Sequence, residues 1–295
     1  MVTPKRLLKD GVKAIVTTSA RRVLKPVGWK ALPAGEANWN ARATEAIRGM
    51  ASVLAAGVRK DMEAAGVQGG DGWAAELDEE IMFWIWQLGA RIVEEGHPAV
   101  QRSFEAGAFQ YAHLLGHMAN QPWQVLDVGA GPRTVLGSQA APGGPPLVVT
   151  AVDPLARAYR SILEFLALTP AVWTSFGVGE VLAQQFPGTT FHLVHARNSL
   201  DHARDPFLCI QQMWSLVRPG GWMVLEHADH EGRNQGYQGL HAWDFWFQDG
   251  AYRIADRSGK ARLVSRETLD AAELRHDPFD WQGKPGSRVL AKRRP

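Results

Sequence analysis

The sequence lacks most of the features that would assign it at a glance. It has one cysteine, Cys209, in 295 residues, which excludes an intramolecular disulfide framework and a cysteine-rich metal site. No stretch approaches the roughly 20 apolar residues of a membrane span. Neither sign of charge dominates: 32 Lys and Arg face 30 Asp and Glu, a balance of +2, so no overall basic field points to nucleic acid. Tyrosine is scarce at 4, whereas tryptophan reaches 12. Glycine and proline, 30 and 17, stay below the share that marks low-complexity chains. These absences leave a globular, cytoplasmic chain, long enough for one large domain or two small ones.

The chain changes texture near residue 120. Residues 5–24 place Leu8, Val12, Ile15, Ser19 and Val23 on one helical face with basic residues opposite. Lys13 interrupts the apolar run of a secretory signal, so the segment reads as a helix packed on its own domain, without stable membrane insertion. From Arg42 to Asn120 the pattern is helical. Over residues 74–96, Leu77, Ile81, Trp84, Ile85 and Leu88 follow the 3.6-residue period. A glycine-rich turn at 66–72 separates this helix from an earlier Ala-rich one. After residue 120, short apolar runs alternate with helical stretches, the signature of βαβ units and a parallel sheet. Candidate strands are 124–128, 147–152, 191–196 and 221–227, with a weaker one near Val172–Phe176. The expected organisation is a helical extension or lid over 1–120 and a Rossmann-like, doubly wound α/β domain over 121–295.

The most informative segment is VLDVGAGP, residues 125–132. A buried strand runs into Gly129 and Gly131, and Pro132 is well suited to open a helix. Glycines there let the backbone turn sharply and approach a ligand. Asp153 ends the next strand, where a carboxylate can accept hydrogen bonds from both ribose hydroxyls. Strand, glycine turn, strand and acid together specify a nucleoside-bearing ligand across the carboxyl ends of a sheet. NAD(P) and S-adenosylmethionine both qualify. A dinucleotide fingerprint wants glycine where this chain has Thr134. Asp127, two residues before the first glycine, would repel a pyrophosphate and suits a ligand with an amino group.

The same segment resembles motif I of the class I S-adenosylmethionine-dependent methyltransferases. TAVDP at 150–154 resembles their acidic second motif. ARNSLDHARDP at 196–206 resembles the motif after the fourth strand, and VRPGGWMVLEH at 217–227 the turn into the fifth. The four motifs span residues 125–227 in the family's order. GYQGLHAWDFW at 236–246 is similar to a segment of bacterial small-molecule methyltransferases. Arg133 departs from the family by replacing a third glycine. The resemblance implies that Gly129, Ala130 and Gly131 pass under the methionine part of the cofactor. It further implies that Asp127 reaches the ammonium, that Asp153 holds the ribose, and that Pro154 and Leu155 pack on adenine. The backbone at Arg197 and Asn198 would face the amino acid moiety, with Glu180 on the adenine side.

Methyl transfer from a sulfonium needs alignment, exclusion of water and, for a hydroxyl or protonated nitrogen, a base. Six of ten histidines fall between 192 and 241. His241 is the first candidate for that base, with His202 and His227 next; His192 and His195 lie inside a strand and read as structural. Each candidate also has an ordinary role open to it, as a cap for His202, a core residue for His227 and a packed aromatic loop for His241. Tyr237, Trp243 and Trp246, read as a polar loop, are the expected substrate contacts. Ubiquinone O-methyltransferases carry a Glu-x-x-Glu-His pattern associated with magnesium. Here that stretch reads Asn198-Ser199-Leu200-Asp201-His202, so one carboxylate is an amide and no metal is expected. The resulting expectation is a methyltransferase acting on a small molecule at oxygen or nitrogen. It has no nucleic-acid partner, and a homodimer stays open. A catalytically silent cofactor-binding scaffold and an NAD-dependent oxidoreductase are the alternatives.

Overall fold

The computed structural model describes residues 39–67, 71–118 and 121–295; the basic helix expected over 5–24 lies outside them. The described residues fall into two compact units: those of 39–105 with 157–171, and those of 106–156 with 172–295.

The first unit is helical. Helices α1 (Trp39–Ala64) and α2 (Asp71–Glu95) carry the expected periodicity. Ile47, Ala51, Ala55, Val58 and Met62 of α1 are buried, as are Leu77, Ile81, Ile85 and Leu88 of α2. Trp84 is only half-buried, because its indole nitrogen donates to Glu80 at 2.8 Å. The short helix α3 (His97–Arg102) follows.

The second unit is built on seven strands. Helix α4 (Ala112–Leu115) precedes β1 (Trp123–Val128), β2 (Leu147–Asp153) and β3 (Ser175–Phe176); between β2 and β3 the chain runs through α5 (Ala156–Phe165), which from Arg157 on belongs to the first unit. Then come α6 (Leu182–Gln185), β4 (Phe191–Arg197), α7 (Pro206–Leu216) and β5 (Val217–Ala228). After α8 (Glu231–Asn234), strands β6 (Asp244–Gln248), β7 (Ala251–Ala255) and β8 (Arg262–Val264) form a separate antiparallel sheet. Helix α9 (Arg266–Leu269) leads to β9 (Ala271–Trp281) and β10 (Lys284–Arg293). The main sheet has the order β3-β2-β1-β4-β5-β10-β9, with β1 to β5 parallel and β10 antiparallel to both of its neighbours. The Pro-Gly-Gly run at 219–221 lies within β5 as a bulge: Val217 pairs with Phe191, and pairing resumes at Trp222 with Leu193.

Two cores cover this sheet. On one face Leu126, Val194, Leu225 and Val289 pack with Phe207, Ile210 and Met213 of α7 and with Phe245, Tyr252 and Ile254 of the small sheet. Burying a ring such as Phe245 contributes about 1.5–3 kcal/mol. On the other face Val125, Leu193, Val224 and Leu290 meet Phe109, Tyr111, Leu114 and Leu115. Phe109, Tyr111, Leu114 and Leu115 therefore pack with the sheet.

The structure departs from the sequence reading in three places. Residues 103–111, inside the stretch read as helical, are turns and extended chain with a bridge at Ala108. No helix opens at Pro132; residues 129–146 are irregular. Pro142, Pro145 and Pro146 flank a glycine pair there and remove helix donors, while Ala108 bridges Gln139. The segment 236–246 is not loop throughout. β6 begins at Asp244, so Trp246 is a strand residue.

Candidate active site

The carboxyl ends of β1, β2, β4 and β5 bring the candidate residues together. Gly129 and Gly131 both adopt φ of +65°, a left-handed conformation that glycine takes without a Cβ clash. A Cβ at Gly129 would lie 2.3 Å from the Ser199 hydroxyl oxygen, so the loop after β1 seats directly on the segment after β4. The loop is wired to β2 as well. The amide of Ala130 donates to the Val152 carbonyl at 3.1 Å, and that of Gly131 to an Asp153 carboxylate oxygen at 3.1 Å. Asp153 is 6% exposed, and its other oxygen accepts from the Leu155 amide at 2.8 Å. Each carboxylate oxygen has more than one acceptor direction, so Asp153 can hold the turn and still receive ribose hydroxyls. A glycine cradle above a buried acid is the donor set that an adenosine-bearing cofactor needs. Pro154 and the buried Leu155 follow Asp153 directly.

Beneath the loop runs a buried ionic network. Asp127 accepts from Thr134 at 2.6 Å and pairs with Nδ1 of His195 at 2.7 Å. Thr134, the residue that breaks the dinucleotide fingerprint, thus anchors the strand-end carboxylate. Nε2 of His195 reaches Glu226 at 3.3 Å. Glu226 also accepts from the Tyr111 hydroxyl at 2.8 Å and from Arg288 at 2.5 Å, and lies 3.5 Å from Arg197. Burial alone would push His195 down, but the charge and hydrogen bond of Asp127, with those of Glu226, raise it to about 9. Burial would raise Glu226, yet the hydrogen bond and charge of His195, with Arg288 and Tyr111, hold it at about 2. Asn198 completes this corner. It takes a φ of +45°, donates its amide to the Glu226 carbonyl at 2.7 Å and accepts from the Ala228 amide at 3.1 Å.

Successive residues on a strand face opposite ways, so His227 points away from that network into a second one. Asp201, fully buried in the single turn Leu200–His202, meets Nδ1 of His241 at 2.6 Å and Nε2 of His202 at 3.5 Å. The two ring nitrogens are 3.1 Å apart. The Ala242 amide donates to the Asp201 carbonyl at 2.9 Å, which pins the His241 segment over the turn. Burial would raise the Asp201 carboxyl, but the charge of His202, the His241 hydrogen bond and the charges of His227 and His241 hold it at about 2. The side chains of His202 and His241 keep 23% and 26% of their exposure, so the cluster opens on one side. His227 does not share that opening. It is fully buried, stacks on Phe245 with centroids 4.1 Å apart, and lies 3.9 Å beneath Asp201. Burial first of all depresses it to about 4.

The remaining candidates have local partners. Tyr237, at φ +53°, donates its hydroxyl to Asp244 at 2.8 Å. Trp243 donates to the Ala203 carbonyl at 2.8 Å and packs on the core beside Phe207. Trp246 lies 4.9 Å from the His230 ring. Glu180 accepts from the amides of Arg204 and Asp205 at 2.9 and 3.3 Å, which organises the entry to α7. Sequence reasoning missed Glu226 and Tyr111 as partners of His195. The cap role left open for His202 falls to Asp205, which accepts from the amides of Phe207 and Leu208 at the start of α7 at 3.0 and 3.1 Å.

A parallel sheet closed by an antiparallel hairpin, with a glycine loop after its first strand and an acid after its second, defines the Rossmann-like fold of the class I S-adenosylmethionine-dependent methyltransferases. The methyltransferase-domain family matches residues 101–272, more than half of the chain, and the chain belongs to it. It is similar to a ubiquinone biosynthesis O-methyltransferase of Albidiferax ferrireducens, 35% identical over 104 residues that cover 35% of this chain and 40% of the relative. It is also similar to 2-methyl-6-phytyl-1,4-hydroquinone methyltransferase of Synechocystis, 23% identical over 62% of this chain and 58% of the relative. The chain thus spans about two fifths to three fifths of the length of these curated relatives. Among solved structures, the N-methyltransferase NodS of Bradyrhizobium japonicum with S-adenosyl-L-homocysteine matches at 14% identity and a TM-score of 0.37, over 62% of this chain and 85% of that one. Membership in this family removes the nicotinamide reading. Among the described residues, no helix is long and apolar enough to cross a membrane.

Proposed function

We propose that the protein transfers the methyl group of S-adenosylmethionine to an oxygen or nitrogen of a small organic molecule in the cytoplasm. One observation carries this reading: the glycine loop and the histidine cluster meet at Ser199, two residues before Asp201. The cofactor supplies an activated methyl group on a sulfonium, and the chain's own residues supply the rest. Asp153 accepts the ribose hydroxyls, Pro154 and Leu155 pack on the adenine, and Gly129 to Gly131 pass beneath the methionine part. Asp127 and the backbone at Arg197 and Asn198 face the amino acid end. The acceptor's proton leaves at the Asp201 cluster. Asp201 fixes Nδ1 of His241, so Nε2 is the nitrogen that takes the proton, and His202 lends a second imidazole beside it. The names of the two curated relatives specify ubiquinone biosynthesis and a hydroquinone, which puts a hydroxylated ring first among acceptors.

Two measurements test this. Asp153→Ala removes a charged acceptor, so calorimetry should find affinity for S-adenosylmethionine about tenfold to a hundredfold weaker. His241→Ala should lower turnover by about 10²–10⁴-fold while cofactor affinity holds. Wild-type protein that binds no S-adenosylmethionine overturns the reading. Binding without turnover against any small-molecule pool would make it a silent scaffold.

A further inference from the structure

We propose that Asp201, His202 and His241 form a binding site for one divalent transition-metal cation of the Zn²⁺ type. The inference deepens the reading above: the acceptor still loses its proton at this cluster, and the cation is what draws it off in the loaded enzyme.

The geometry carries the claim. Three donor atoms, Asp201 Oδ2, His241 Nδ1 and His202 Nε2, form a triangle with edges of 2.6, 3.1 and 3.5 Å. Donors about 2.1 Å from one ion, in tetrahedral or octahedral arrangement, lie about 3.0–3.4 Å apart. The 2.6 Å edge is a hydrogen bond in the cation-free protein, and the other two edges lie within about 0.1 Å of the ligand spacing. A small outward shift of His241 from the carboxylate lets one cation meet all three atoms. The Asp201 side chain is fully buried, and its other oxygen, Oδ1, has no hydrogen-bond partner and lies 3.9 Å from Nδ1 of the buried His227; a cation held at Oδ2 adds the charge that such a buried carboxylate favours.

The donor chemistry selects the ion. Two imidazoles and one carboxylate suit Zn²⁺, Co²⁺, Ni²⁺ or Mn²⁺, whereas Mg²⁺ prefers an all-oxygen set. The carboxylate missing at Asn198 is therefore no obstacle, because the third ligand comes from His241, 43 positions further on. The cluster opens on the side of His202 and His241, which leaves coordination positions for an acceptor oxygen. Positive charge there would lower the pKa of a hydroxyl, its proton passing to solvent on the open side of the cluster, and hold the oxygen as the anion that attacks the methyl while the electron pair of the carbon–sulfur bond returns to sulfur. The two histidines then serve as ligands; in cation-free protein, His241 takes the proton itself.

The test is titration of chelator-treated, tag-free, full-length protein with Co²⁺ and Zn²⁺, followed by visible absorption and calorimetry. The wild type should bind one equivalent, with a Co²⁺ d–d band that Zn²⁺ displaces. His241→Gln, His202→Gln and Asp201→Asn should each weaken binding at least about tenfold, whereas the control His113→Gln should not. Unfolding midpoints of all variants separate lost ligation from lost structure, and either His variant alone suffices if Asp201→Asn does not fold. No stoichiometric binding, or binding that the three variants leave unchanged, overturns the proposal. If cation binding fails while His241→Ala still abolishes turnover, the metal inference falls and the base reading stands.

Discussion

The two histidine networks on opposite faces of β5 are built from the same residue types and differ in closure. Around His195 every charge has its complement: Asp127 on one nitrogen, Glu226 on the other, and Tyr111 and Arg288 completing Glu226. Around Asp201 the books do not balance among protein groups, since Asp201 Oδ1 and both nitrogens of His227 are buried without hydrogen-bond partners, Oδ1 and Nδ1 standing 3.9 Å apart. A closed network holds strands in register under a cofactor loop. An open one is left with coordinating capacity that substrate or ion can use.

The sharpest way to break this comparison is to remove the centre of the closed network. His195→Leu leaves two buried carboxylates without their shared cation, and stability at pH 7 should fall by about 3–5 kcal/mol. Urea unfolding measures it; a loss below 1 kcal/mol would mean that His195 is not what pairs them. A somewhat smaller effect is expected from titration of the intact network. His195 stands at about 9 in the folded protein, above its ordinary value of 6.5. Its contribution is therefore complete below pH 6.5 and is lost as pH rises through about 9. That loss should be on the order of 3 kcal/mol between those limits. Unfolding midpoints across pH 6–9.5 should slope in the wild type, and this part of the slope should vanish in His195→Gln. The smallest effect belongs to the open network. His227→Phe keeps the stack on Phe245 and deletes two unpartnered nitrogens, so stability should move by less than about 1 kcal/mol in either direction. A large loss there would show that His227 is charged or bonded in the folded protein, and the contrast between the two networks would collapse.

How far the sequence can be read depends on which interactions are local. The parallel strands announce themselves as apolar runs, and the glycine loop with Asp153 follows from their spacing. The networks are another matter. Asp127, His195 and Glu226 lie on three strands, and only the strand order brings them together; neither periodicity nor spacing carries that order. The absent helix at Pro132 was misjudged because Pro132 in isolation favours a helix start, while Pro142, Pro145 and Pro146 lie downstream. Two hairpins went unread although their turns are explicit. Asp249-Gly250 and Gln282-Gly283 both take positive φ, as two-residue turns between antiparallel strands require. The alternation of β6, Phe245 to Gln248, was hidden by reading its tryptophans as loop aromatics.

The outermost strands of the main sheet carry a consequence for how copies of this chain meet. β3 is two residues long, too short to template another strand. At the opposite edge β9 has Arg275, Asp277 and Asp280 exposed and Pro278 in mid-strand, and proline has no amide hydrogen to offer a neighbour. Brevity protects one edge and charge with proline the other. A second molecule adding its own strand would find no continuous row of donors and acceptors, so crowding in a concentrated solution or a dense cell should not zip these sheets together.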